Sequence, residues 1–120
     1  MVLKNKLVYI TTIIYTLAII VLSFIDLQEI PELHTGFDDK IFHCIAYAIF
    51  CLLWYLMFEA LQMKSSLMLS IALSIVFGGL IEILQSKLST YRSTEFFDLL
   101  ANTLGVVLMA LVIRLKKSYN

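Results

Sequence analysis

The sequence predicts an all-α integral membrane bundle of four transmembrane helices, and three observations predict it. Hydrophobic residues make up 61% of the 120 and charged residues only 15%, where a soluble domain has about half and a quarter. Four apolar runs, each long enough to cross hydrocarbon, follow one another with short polar breaks. Their unbroken length argues for helices, since barrel strands would alternate over about ten residues. A chain this small has too high a surface-to-volume ratio to hide so much apolar area from water. With a mean hydropathy of +0.92, its second solvent is the lipid bilayer. Nine Lys and Arg balance nine Asp and Glu, so there is no basic footprint for nucleic acid. A soluble enzyme, a DNA-binding module and a disordered tail are excluded, and the length fits one membrane domain over 1–120.

The first span covers about 7–25, an uncharged stretch close to the ~20 residues that hydrocarbon requires. A signal peptide would also place Lys4 and Lys6 before an apolar run. This run is too long for one, and no small-x-small cleavage pattern follows Ser23, so a retained span is expected. The second span, about 41–61, carries His43. The third, about 67–84, has Glu82 near its end. The fourth, about 97–115, has Asp98 and Asn102 in its first two turns. Ser93 or Thr94 can cap the fourth span, and Asp38 or Asp39 the second. Pro31, the one proline, lies in the first loop, so no span has a proline reason to kink. Cys44 and Cys51 are seven apart, roughly 10 Å on a helix. That is beyond disulfide reach, and both read as inert buried thiols.

Lys and Arg set the orientation. Lys4, Lys6, Lys64, Arg114, Lys116 and Lys117 fall on one side, against Lys40, Lys87 and Arg92 on the other. Both termini are therefore expected in the cytoplasm. Tyr9 and Tyr119 at the inner ends, with Phe37, Tyr91, Phe96 and Phe97 at the outer ends, are expected interfacial anchors.

This topology brings distant segments to the same depth near the outer surface. At ~100° per residue, Asp39, His43 and Tyr47 share one face of the second span, with Lys40 beside it. Glu82 and Gln85 share a face of the third span, and Asp98 and Asn102 a face of the fourth. Arg92 lies in the short loop between those two spans. A carboxylate in hydrocarbon is costly unless paired or protonated, and Arg92, Lys40 and His43 are the available partners for Glu82. Gly78 and Gly79, with the Ala101–Gly105 pair, are expected to let the third and fourth spans approach closely. Tyr47 and Asn102 also read as interhelical glue, Gln85 as an interfacial polar group, and Asp98 as a favourable charge at a helix start.

At these residues the chain resembles the VanZ-like family of small bacterial membrane proteins. The likeness rests on DKIFHCIAY, which holds Asp39, Lys40, His43 and Tyr47; on EILQ, with Glu82 and Gln85; and on YRSTEFFDLLANTLG, with Arg92, Asp98, Asn102 and Gly105. Tyr91 stands before the arginine where the family often has glycine. The resemblance implies a multi-pass protein of the bacterial cytoplasmic membrane, whose founding member is linked to resistance to the glycopeptide teicoplanin. It implies no settled activity.

Three functions are compatible with these residues. One is a membrane enzyme or binder for an anionic lipid headgroup or a lipid-linked cell-envelope precursor. Lys40, His43, Glu82, Arg92 and Asp98 would carry its chemistry, supported by Asp39, Tyr47, Gln85 and Asn102. Helix N-termini and basic groups suit phosphate, while Glu82 and Asp98 suit a base, a proton donor or divalent-cation ligands. No HExxH, Walker loop or serine elbow is present, so no cofactor, metal or reaction is specified. The second function is non-catalytic shielding or scaffolding at the envelope, with the polar cluster locking the bundle. The third is a small multidrug exporter, disfavoured because the first span holds no acid. Leu27, Ile30 and Leu33, three apart in the acidic first loop, would suit either an interfacial lid or a solvated loop touching headgroups.

Overall fold

The computed structural model describes residues 2–24, 36–88 and 96–120, and the side chains of all of these except 36–39 and 88. Four helices account for nearly all of it: α1 (Val2–Phe24), α2 (Gly36–Ala60), α3 (Ser66–Leu88) and α4 (Phe96–Tyr119). All four are long and apolar enough to cross a membrane, and the bundle's 45 Å long axis matches a bilayer with its headgroups, about 40–45 Å. The chain is a multi-pass membrane protein.

The helices outrun the uncharged stretches. α1 takes in Lys4 and Lys6, α3 takes in Lys87, and α4 takes in Arg114, Lys116 and Lys117. A helix keeps its backbone bonds satisfied through the headgroup layer, and long basic side chains reach outward from it. α2 begins at Gly36, so Asp38 and Asp39 lie in its first turn rather than capping it, where a negative charge still suits the helix dipole. Ser93 and Thr94, the expected caps of α4, lie outside the described residues, as do Leu27, Ile30, Leu33 and Tyr91.

Side chains that meet across the bundle fix an up-down-up-down order. α2 and α3 occupy the middle, each packed against both flanking helices, while α1 and α4 make no backbone approach to each other among the described residues. α2 and α4 run parallel, with Lys40 opposite Asp98 and His43 opposite Asn102 at one end. Glu59 stands 3.7 Å from Lys117 at the other. The offset stays near 58 residues along the pair. Between these ends Gly105 is buried against the α2 backbone. A Cβ on Gly105 would overlap the Cys44 carbonyl oxygen and stand 2.9 Å from its carbonyl carbon and 3.1 Å from its Cα. The expectation that the Ala101–Gly105 pair serves the third span is thereby corrected, since Gly105 opposes α2. Gly78 opposes both Tyr47 and Asn102, and Gly79 reaches Leu99.

The core beside this contact is aromatic. Phe50 is fully buried and stacks on Phe77 with ring centroids 4.6 Å apart. Tyr47, Trp54 and Phe58 continue the column along one face of α2 at helical spacing. Cys51 is buried beside Ser70, whereas Cys44 is only half-buried.

α1 is held by hydrogen bonds that hydropathy does not reveal. The Tyr15 hydroxyl donates to the Ala46 carbonyl at 2.6 Å, and the Trp54 indole donates to Thr16 Oγ1 at 3.2 Å. The fully buried Thr12 hydroxyl shares its hydrogen between Val8 O and Leu53 O. The Tyr9 hydroxyl donates to Ala60 O, at the end of α2, at 3.5 Å. Phe96 and Phe97 do stand exposed at the start of α4. Ile10, Ile14, Leu17 and Val21 present the opposite face of α1 to lipid.

The α2–α3 turn closes as a Schellman motif, with Met63 N–H on Phe58 O and Gln62 N–H on Glu59 O. Gln62 adopts the left-handed conformation, φ 57°, where glycine is favoured.

Gly105→Ala is expected to lower stability in detergent by about 1–3 kcal/mol, the cost of forcing apart a packed contact, whereas Gly79→Ala changes it little. Equal melting temperatures for the two variants would refute the close-approach role. Gln62→Gly is expected to raise stability by about 1 kcal/mol, measured by the same thermal unfolding.

Candidate functional site

The candidate site forms where α2 and α4 begin and α3 ends. On α2, positions 40, 43 and 47 descend along the side facing α3 and α4. Glu82 on α3 and Asp98 and Asn102 on α4 meet them at the same level. Gly78, one turn before Glu82, leaves room for the Tyr47 ring and the Asn102 amide, which would crowd a Cβ there at 3.1 and 3.3 Å. The small residues thus set the distances of the polar ones.

Lys40 Nζ forms an ion pair and donates a hydrogen bond to Asp98 Oδ1. His43 stands between the two carboxylates: Nε2 is 3.8 Å from Asp98 Oδ2, and Nδ1 is 4.0 Å from Glu82 Oε1. Nδ1 also lies 3.0 Å from Asn102 Oδ1. Asn102 Oδ1 can accept from Nδ1 in the tautomer that carries the proton there. One donor atom each from His43, Glu82 and Asp98 lies within 4.8 Å of the others.

Burial is graded. Side-chain exposure falls from 26% at Lys40 to 19% at His43, 13% at Asp98 and 4% at Glu82. Lys40 therefore marks the mouth and Glu82 the floor. Beside that floor, the buried Tyr47 hydroxyl and Asn102 Nδ2 make no hydrogen bond among the described residues. The cluster combines a cation, an imidazole, two carboxylates and two buried donors at one end of the bundle. Such a set can bind a polar group, move a proton or hold a cation.

Lys40, His43, Tyr47, Glu82, Asp98 and Asn102 are thus brought together. Gln85 turns elsewhere: buried, it donates from Nε2 to Ser23 O at 2.6 Å and ties α3 to the end of α1. Arg92 lies outside the described residues, as does the side chain of Asp39. Sequence reasoning missed Gly78 as the residue that seats Tyr47 and Asn102. Its spacing of four from Glu82 was the available signal.

The family model VanZ/LLP1 matches residues 6–117, nearly the whole chain. An uncharacterized protein of the fission yeast Schizosaccharomyces pombe is 37% identical over 83 residues, covering 68% of this chain and 50% of the yeast protein. The chain thus spans half the length of that curated relative. No solved structure matches.

A double-mutant cycle with Lys40→Ala and Asp98→Ala is expected to give a coupling of about 1–3 kcal/mol. Removing the ammonium alone leaves the Asp98 carboxylate partly buried beside His43. Additive effects on thermal unfolding in detergent would show that the pair is not coupled.

Proposed function

Because the chain belongs to the VanZ/LLP1 family and joins these groups at one end of the bundle, we propose that it binds or modifies an anionic, phosphate-bearing lipid. That lipid is a membrane headgroup or a lipid-linked precursor of the cell envelope. The observation that carries this reading is the meeting of Lys40, His43, Glu82, Asp98 and Asn102 from three helices. They meet at the end where α2 and α4 begin, and helix starts favour anions.

Lys40, the most exposed member, can exchange Asp98 for a phosphate oxygen at the headgroup level. The Tyr47 and Asn102 donors can bind a deeper oxygen of the same headgroup. The 4.0 Å between His43 Nδ1 and Glu82 Oε1 supports a role for this pair as general acid and base. The Lys and Arg asymmetry supports an orientation with both termini cytoplasmic. In the bacterial cytoplasmic membrane, the cluster then faces the outer leaflet. The similarity to a fission-yeast protein supports a chemistry on lipid, a component that every membrane supplies. Teicoplanin susceptibility would then change as a consequence of altered envelope lipid.

A second reading has its own observation, because the same residues flank the Gly105–Cys44 contact. In it the cluster only locks the bundle while the protein shields or scaffolds at the envelope. α1 from Val2 to Phe24 contains no acid, which disfavours a proton-coupled exporter with its essential carboxylate in the first span.

Purified protein in detergent is to be assayed for binding and turnover of phosphatidylglycerol, phosphatidic acid and a polyprenyl phosphate. Lys40→Ala and His43→Ala are expected to weaken binding about tenfold or more, or about 1.4 kcal/mol, when compared at equal amounts of folded protein. Binding and turnover that both survive Glu82→Gln and His43→Ala overturn the proposal. Loss in proportion to folded protein supports the bundle lock.

A further inference from the structure

We propose that His43, Glu82 and Asp98 form a binding site for a divalent transition metal, Zn²⁺ or Mn²⁺, with Lys40 as an internal cation that weakens it. The donor atoms of the three residues lie within 4.8 Å of one another. All three therefore lie within about 2.8 Å of a common point. Zn²⁺ bonds to imidazole and carboxylate are about 2.0–2.2 Å, so movements of up to about 0.6–0.8 Å complete the contact. One imidazole with two carboxylates suits Zn²⁺ or Mn²⁺ better than the all-oxygen shells of Ca²⁺ and Mg²⁺.

Two further features of the cluster point to a metal. First, the His43 ring stands between its carboxylates, with Nδ1 4.0 Å from Glu82 Oε1 and Nε2 on the Asp98 side, and a hydrogen bond from one ring nitrogen to an oxygen would orient the ring as in metal-binding histidines. Nδ1 faces Asn102 Oδ1 at 3.0 Å, and Nε2 faces Asp98 Oδ2 at 3.8 Å. Asn102 is thus a positioning residue. Second, Asn102 is 2% exposed, and its Nδ2 has no hydrogen-bond partner among the described residues. It adjoins the α3 face that carries Gly78 and, one turn on, Glu82. From there it can donate to an oxygen held on the metal.

Lys40 sits on Asp98 Oδ1, while Oδ2 is the oxygen turned to His43. An ammonium on one carboxylate oxygen repels a divalent ion on the other. Metal occupancy therefore favours release of Lys40 toward the headgroup layer, to which it is already partly exposed.

The test is calorimetric titration of chelator-treated protein, in detergent without phospholipid, with ZnCl₂ and with MnCl₂. One ion per chain is expected. His43→Ala and Asp98→Asn are expected to weaken binding about tenfold or more, and Lys40→Gln to tighten it about fivefold. The gain in Lys40→Gln keeps the test decisive where the other variants fold poorly. The Cys44→Ser/Cys51→Ser double variant should bind as the wild type does. The proposal is overturned by any of three results: no stoichiometric binding in either wild-type or Lys40→Gln protein, affinity unmoved by His43→Ala and Asp98→Asn, or binding lost with the cysteines. Stoichiometric metal binding in a protein that binds no phosphate lipid upholds this site and overturns the lipid reading alone.

Discussion

The contact between Gly105 and the backbone of Cys44 is the constraint on which the rest of the structure depends. Lipid tails are as apolar as leucine, so helices in a bilayer gain little from burying apolar side chains against each other. Close packing and polar contacts decide which faces meet. A missing Cβ on α4 lets α2 approach closely enough for short side chains to join across the interface. His43 and Asn102 lie one turn or less from this point, and the Lys40–Asp98 pair lies one turn beyond. Bundle geometry and site geometry therefore have one cause.

The two faces of α2 do different work. Toward α4 and α3 it carries Lys40, His43 and Tyr47, then the aromatic column built on Phe50. Toward α1 it offers backbone carbonyls and the Trp54 indole to Thr12, Tyr15 and Thr16. These bonds give α1 a fixed partner although most of its surface is lipid-facing. They matter because a hydroxyl in hydrocarbon has no water to bond. At the far end, Lys117 meets Glu59 and lies 5.2 Å from the Tyr55 ring centroid. Both ion-pair partners are well exposed there, so this contact is solvent-screened and adds less than the buried end.

The graded burial of the cluster connects structure to chemistry. An ionic group at the mouth can exchange partners with headgroups at small cost, whereas the carboxylate at the floor keeps whichever partner the protein supplies. Lys40 and Asp98 form the exchangeable layer, and His43, Glu82 and Asn102 the fixed one. Under the two proposals, anionic headgroups and divalent cations would address different members of this arrangement: phosphate would call on Lys40 and the buried donors, metal on the imidazole and the carboxylates.

The sequence by itself determined the solvent, the class and the number of crossings, because apolar runs of sufficient length have only one stable arrangement in hydrocarbon. Helical periodicity also named polar positions on each span, and Lys40, His43, Glu82, Asp98 and Asn102 were legible as facing sets before any contact was known. What periodicity cannot supply is the rotation of each helix about its own axis, since a period fixes a face but not the neighbour it meets. Only the tertiary structure decided that Gly105 opposes α2 rather than α3 and that Gln85 bonds to α1. It alone also decided that Tyr9 and Tyr15 turn inward to backbone carbonyls. Those choices depend on backbone-to-backbone distance, which reflects all four helices packed together and is written in no single stretch of residues.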